Sequence, residues 1–330
     1  MKKTFAIILV CMFAVTMLTA CNGAGATTNQ QDTQGNAGNV VQTSQDAPKQ
    51  DPANNPPSDL QTDPIPISST PPVSDFDTSR IIAVFTREDG SGTRDAFINI
   101  TGVGKDMYAE AVVESETNQI LSKVEGNEYA IGYVSVGSLN PKVKALNING
   151  ITPSNTTIMD GSYTLQRPFL VCVNAENESN ELVQDFITFM VSAEGQEIAA
   201  TKWTKIDTNA PTYASRGLSG TLKVGGSTSV EPFMQALSQA YKAQNPNVNI
   251  EISQGGSGVG ISESTSGVLN IGMSSRALKD DEKATLTPYN IALDGVAVIV
   301  NPANPITDIT IEQVREIFVG DVTRWENVGG

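Results

Sequence analysis

Small-residue turns recur in this chain where a strand hands over to a helix, and they constrain its fold more than any other feature. The first is Arg87-Glu88-Asp89-Gly90-Ser91-Gly92-Thr93-Arg94. The second is Gly225-Gly226-Ser227-Thr228-Ser229, followed by Gly255-Gly256-Ser257-Gly258 and by Gly272-Met273-Ser274-Ser275-Arg276. A turn of this kind leaves the first N–H groups of its helix without intrahelical acceptors and puts no bulky side chain in front of them. It is therefore a grip for an anion. Several such turns in one α/β unit imply a crevice at the strand ends, lined by helix N-termini.

The rest of the pattern is consistent with that architecture. Strand-like runs cover 80–85, 129–134, 143–148 and 167–173, then 221–224, 248–252, 268–271 and 291–300. Helix-like runs cover 94–100, a stretch near 105–122, 181–189 continuing to 202, 230–244 and 311–318. In the run at 230–244, Phe233, Leu237 and Tyr241 recur at spacing four and Pro246 closes the segment. Strands alternating with helices predict an α/β fold.

Residues 1–20 read as an export signal. Lys2 and Lys3 precede an apolar stretch over 5–18, which is too short for a membrane span. The ending Leu18-Thr19-Ala20-Cys21 resembles a bacterial lipobox. That resemblance implies cleavage before Cys21, a lipid on its sulfur and an extracytoplasmic protein held to the cell membrane. Residues 21–79 are rich in Gln, Asn, Thr, Ser, Asp and Pro and read as a disordered tether.

Composition removes whole classes of chemistry. The chain has no histidine, which excludes a Ser-His-Asp triad and any His-ligated metal site. Of its three cysteines, Cys11 lies in the signal and Cys21 is the lipid acceptor. Cys172 is then alone in an apolar strand, so neither an internal disulfide nor a cysteine metal cluster is expected. No metal and no cofactor is expected. A net charge of −15 argues against nucleic-acid binding. It also opposes an anionic ligand, so affinity has to come from local dipoles and one or two arginines.

In the first turn, Ser91, Gly92 and Thr93 can offer N–H groups and two hydroxyls, and Arg87 a bidentate fork. Asp89 stands beside the anion. A carboxylate there would accept a hydrogen bond from a protonated phosphate and repel fully ionised sulfate. The alternative is that Asp89 and Ser91 only cap a helix.

At this point the chain resembles the phosphate-binding protein of the bacterial high-affinity phosphate ABC transporter. The resemblance rests on Gly226–Val230, Gly255–Gly260, Gly272–Arg276, Asp294–Val298, Ile317–Gly320 with Trp325, Arg87–Arg94, Ala130–Ser135 and Ser192–Gln196. It covers nearly all of 80–330. It implies a two-lobed clamshell of the type II periplasmic-binding-protein-like class. The segment order departs from the family: the Arg87 half comes first, and Val328-Gly329-Gly330 falls where that half would ordinarily begin. The chain thus reads as a circular permutant, with a fragment of a longer tandem protein as the competing account. One lobe would be 80–165 plus 295–330 and the other 166–294, with the old termini joined through 205–220.

Carried over by position, the resemblance makes Thr228, Ser229, Ser257, Ser275, Arg87, Asp89, Ser91, Gly92 and Thr93 phosphate ligands. Ser275 stands where some members have an aspartate, and Arg94 and Arg276 are left open. The implied function is capture of inorganic phosphate by a monomeric lipoprotein for an ABC permease, without catalysis. Two alternatives stay open: a phosphate sensor or surface-interaction lipoprotein that uses the same fold, and a phosphatase with a serine nucleophile.

Overall fold

The computed structural model describes residues 75–328. The export signal at 1–20, the lipid acceptor Cys21 and the tether up to 74 lie outside the described residues.

The first turn of chain is β1 (Ala83–Arg87), α1 (Gly92–Thr101), β2 (Val112–Glu114), α2 (Thr117–Glu125) and β3 (Ala130–Ser135). Two short strands follow, β4 (Lys144–Ala145) and β5 (Asn147–Ile148), then helix α3 (Asn155–Met159). Next come β6 (Gln166–Asn174), α4 (Ala175–Glu178), α5 (Glu181–Met190) and α6 (Ala193–Lys202). The third stretch holds β7 (Gly220–Gly226), α7 (Glu231–Gln244), β8 (Val248–Gln254), α8 (Gly256–Thr265) and β9 (Ile271–Ser274). The last holds α9 (Asp280–Lys283), β10 (Leu286–Val300), β11 (Asp308–Ile309) and α10 (Ile311–Val319).

The main sheet runs β2-β1-β3-β10-β6-β9-β7-β8, with β4 also on β10. Strands β1 and β3 pair in parallel, as do β7 with β8 and with β9. Parallel strands need helical crossovers on the sheet faces, which the alternating elements supply. The long strand β10 joins the two halves of the sheet. Its first part, Leu286–Gly295, pairs antiparallel with β6, and its last part, Val296–Val300, with β3.

The apolar side chains divide at the same place on β10. One core gathers Phe169 to Ala292, including Phe186, Phe233, Leu237, Tyr241 and Ile291. Another gathers Ile82 to Leu165 together with Val296 to Trp325, including Phe97, Tyr133, Tyr163 and Phe318. Where β6 and β10 cross between them, Arg167 Nη2 stands 2.9 Å from Asp294 Oδ2, and Ser135 Oγ donates to Asp294 Oδ1 at 2.8 Å. Burial pushes the Asp294 carboxyl above its usual range and the Arg167 guanidinium below its own, and their mutual attraction opposes both shifts.

The two described ends of the chain lie against each other. Ile82 N donates to Thr323 O at 2.9 Å, and Glu326 N donates to Thr78 O at 2.7 Å. Phe76 packs on Tyr129 and Trp325 with ring centroids 5.0 and 6.1 Å apart. Phe76 and Thr78, which the sequence placed in the tether, are thus packed on the fold.

Several elements differ from the sequence expectation. The helix expected near 105–122 is instead an irregular segment, the strand β2 and then α2. The backbone of Tyr108 is tied to Phe318 O at 2.7 Å, which takes the segment out of helical register. The continuous helix over 181–202 is two helices, because Ser192 caps the second by accepting from Gly195 N. The strand expected at 143–148 is β4 and β5, paired to different partners. Strand β10 begins five residues before the expected 291.

Candidate functional site

Four small-residue turns bring their side chains to one place. Strand β1 ends in Arg87, which is 2 % exposed. The strand end is fixed from the neighbouring strand: Tyr133 of β3 accepts from Arg87 N at 3.1 Å and shares a 2.7 Å bond with Thr86 Oγ1. The Tyr133 ring is stacked on Phe97 of α1 at 4.0 Å. Burial pushes its phenol up to about 12, partly countered by those two bonds, so it stays neutral.

The Arg87 guanidinium is almost fully used. Its Nε and Nη2 donate to Glu88 Oε2 and Oε1 at 2.8 and 3.0 Å. Its Nη2 also reaches Ser115 O and Thr228 Oγ1, each at 3.1 Å, and its Nη1 reaches Thr117 Oγ1 at 3.2 Å.

Around it lies a ring of buried hydroxyls. Thr93 Oγ1 and Ser229 Oγ are 2.9 Å apart, and Thr117 Oγ1 is 3.2 Å from Thr228 Oγ1 and 3.3 Å from Ser229 Oγ. Ser257 Oγ lies 3.4 Å from Ser275 Oγ and accepts from Ser275 N at 3.0 Å. Gly92 closes the gap: a Cβ on it would stand 2.7 Å from Ser275 Oγ and nearer still to Ser257 Oγ. The two sides of the crevice also touch through the backbone, where Gly258 N donates to Gly90 O at 2.9 Å.

Helix starts frame this ring. Helix α1 begins at Gly92 after Ser91, whose side chain accepts from Arg94 N and so acts as its N-cap. Helices α2 and α8 begin at Thr117 and Gly256 with no side-chain cap bond. Their first N–H groups and the positive end of each helix dipole add to the guanidinium. A shallow cleft of about 250 Å³ leads to the ring, lined by Glu88, Ser115, Glu116, Thr228, Gln254 and Gly255. The arrangement can hold a small tetrahedral oxyanion by many donors at once. Among the described residues, no group of three His, Cys, Asp or Glu side chains could hold a metal ion.

Of the residues singled out in the sequence, Arg87, Gly92, Thr93, Thr228, Ser229, Ser257 and Ser275 come together here, and Ser91 caps the helix that carries two of them. Asp89 does not join them. Its side chain is 93 % exposed and pairs with Arg94. The carboxylate on Arg87 is Glu88, one residue earlier, so the sulfate filter assigned to Asp89 has no geometric basis. Asp89 lies past the end of β1, in the turn that Gly90 makes at φ 87°. Arg276 faces elsewhere: its guanidinium pairs with Glu282 at 2.7 Å and stands 2.9 Å from Asp95. Thr117 and Tyr133 were not anticipated. Ser115-Glu116-Thr117 just ahead of Ile120, Leu121 and Val124 is a helix-start signal that could have located Thr117.

The chain is similar to known proteins. A family profile described as "PBP superfamily domain" matches residues 74–194 and 211–330. The phosphate-binding protein PstS 2 of Streptococcus pneumoniae is 44 % identical over 259 residues, covering 76 % of this chain and 88 % of that one. The phosphate-binding protein PstS of Bacillus subtilis is 31 % identical over 115 residues, covering 34 % of this chain and 38 % of that one. A crystal structure of a phosphate-binding protein of a phosphate ABC transporter from Streptococcus pneumoniae is 42 % identical. It superposes with a TM-score of 0.63 over 76 % of this chain and the whole of that one.

Proposed function

Because the chain belongs to the PBP superfamily and to its phosphate-binding PstS proteins, we propose that it captures inorganic phosphate between two lobes for an ABC permease. The observation that carries this reading is the convergence of Arg87, Thr93, Thr228, Ser229, Ser257 and Ser275, all buried, from turns distant in sequence. Their hydroxyls and the Arg87 guanidinium lie within hydrogen-bonding reach of one another or against Gly92, with helix starts beside them, in a chain whose net charge would otherwise repel an anion.

In this reading the lobes are 80–165 plus 295–330 and 166–294, which is supported by the change of core along β10. Closure brings Thr93 to Ser229 and Arg87 to Thr228 across the crevice, and Asp95 to Arg276 beside it. Hinge closure of this type gives a permease a loaded form to distinguish from the open one. The segment order is a circular permutation, supported by the abutting ends at Ile82 and Thr323. The Streptococcus pneumoniae relative, matched over 88 % of its length, shares this segment order, whereas the Bacillus subtilis relative is matched over 38 % of its length, which is what two different segment orders would give. Delivery is extracytoplasmic from a lipid anchor at Cys21, supported by the sequence of residues 1–21, and the protein works as a monomer without catalysis.

The test is calorimetric titration of the full chain with phosphate, and with sulfate in parallel. Saturable one-to-one phosphate binding is expected. Heat from sulfate alone, or from neither anion, overturns the assignment.

A further inference from the structure

We infer that Thr117, the first residue of α2, is a direct ligand of the bound oxyanion and adds a third helix start to the site. This rests on the phosphate reading above and deepens it. None of the anion-grip turns contains Thr117, and it lies 24 residues beyond Thr93.

Position on the helix argues against a capping role. The N-cap is Glu116, and it makes no side-chain cap bond. A threonine retained to stabilise the helix start would use its hydroxyl on its own backbone. Thr117 Oγ1 instead finds Arg87 Nη1 at 3.2 Å, Thr228 Oγ1 at 3.2 Å and Ser229 Oγ at 3.3 Å, all of them in the site. The residue is 4 % exposed.

The guanidinium also sets the direction of the hydroxyl. Arg87 has only protons to give, so Thr117 Oγ1 and Thr228 Oγ1 both accept from it. Each then has a lone pair committed to Arg87 and a proton left for another acceptor. One cation thus turns two hydroxyls into donors, which is the polarity an anion needs. With Asp89 turned to solvent, the hydroxyls, the guanidinium and the helix N–H groups form a donor set, and Thr117 extends it to α2.

The test compares phosphate titrations of the full chain with those of Thr117→Val and Thr117→Ser, each also melted without phosphate. Valine keeps the shape and loses the hydroxyl; serine keeps the hydroxyl. Loss of one hydrogen bond to a charged group predicts roughly 10- to 100-fold weaker phosphate binding for T117V. T117S should bind nearly as the parent does, and both variants should melt close to it. Parent-like affinity in T117V overturns the inference, and so does an equal loss in T117S, which would assign the residue to packing. A parent chain that takes up no phosphate removes the reading beneath it and the inference with it.

Discussion

Gly92 shows how little space the site has. A methyl group there would meet the hydroxyls of Ser257 and Ser275, whose rotation away would remove two donors from the ring. Gly92→Ala should therefore weaken phosphate binding by at least about 10-fold, by analogy with loss of a hydrogen bond to a charged group, while the ligand-free melting temperature moves little. Titration and thermal melting of the same sample check both halves of that statement. At this scale the sequence was legible where backbone and small hydroxyls make the site. It was misleading for Asp89, because adjacent acidic residues at a strand end look alike until the turn decides which one follows the arginine. Glu88, just past the strand, still donates through its N to Glu114 O of β2 and pairs with Arg87, whereas Asp89 is carried outward by the Gly90 turn.

Between elements, the glycines of β7, β9 and α8 let the helix lie directly on the backbone of the sheet. A Cβ on Gly260 would fall 2.7 Å from Gly225 O and 2.8 Å from Gly226 Cα and Met273 O. These are backbone atoms that cannot swing aside, so α8 would have to lift from the sheet. Gly260→Ala should cost about 1–3 kcal/mol, as overpacking of a tight interior does. It should also displace Ser257, and so weaken phosphate binding along with stability. Denaturant unfolding together with titration separates this outcome from that of G92A, where affinity falls alone. Elements whose faces carry a clear period, such as α7, were legible in the sequence. The segment at 105–111 was not, because its residues favour a helix while a contact far along the chain decides otherwise. Tyr108 lies over Gly320, where any side chain would collide with its ring.

For the molecule as a unit, the order of segments matters less than their adjacency. The ends at Thr78 and Glu326 are hydrogen-bonded neighbours, and permutation at exposed connections is tolerated when core contacts are kept. A gene rearranged to open the chain between 205 and 219 and to join 328 to 76 should give a protein that folds cooperatively and binds phosphate as the present chain does. A rearranged protein that fails to fold would remove the permutation reading. The α/β architecture and the two-part plan were legible because each grip turn is local. The crossing point near 294 came from the family resemblance alone, and the pairing of β10 first with β6 and then with β3 is the physical support for it.

The seam between the chain ends also has a consequence in time. A ribosome delivers residues 166–292 in one run, complete with the core around Phe233 and Tyr241. The core around Phe97 and Tyr133 receives Val298, Phe318 and Trp325 only after that run. Strand β3 waits for β10 all that while, its edge unpaired, although it is made long before. The half made first is thus the last to be finished, and during synthesis it is the half with most need of protection from aggregation.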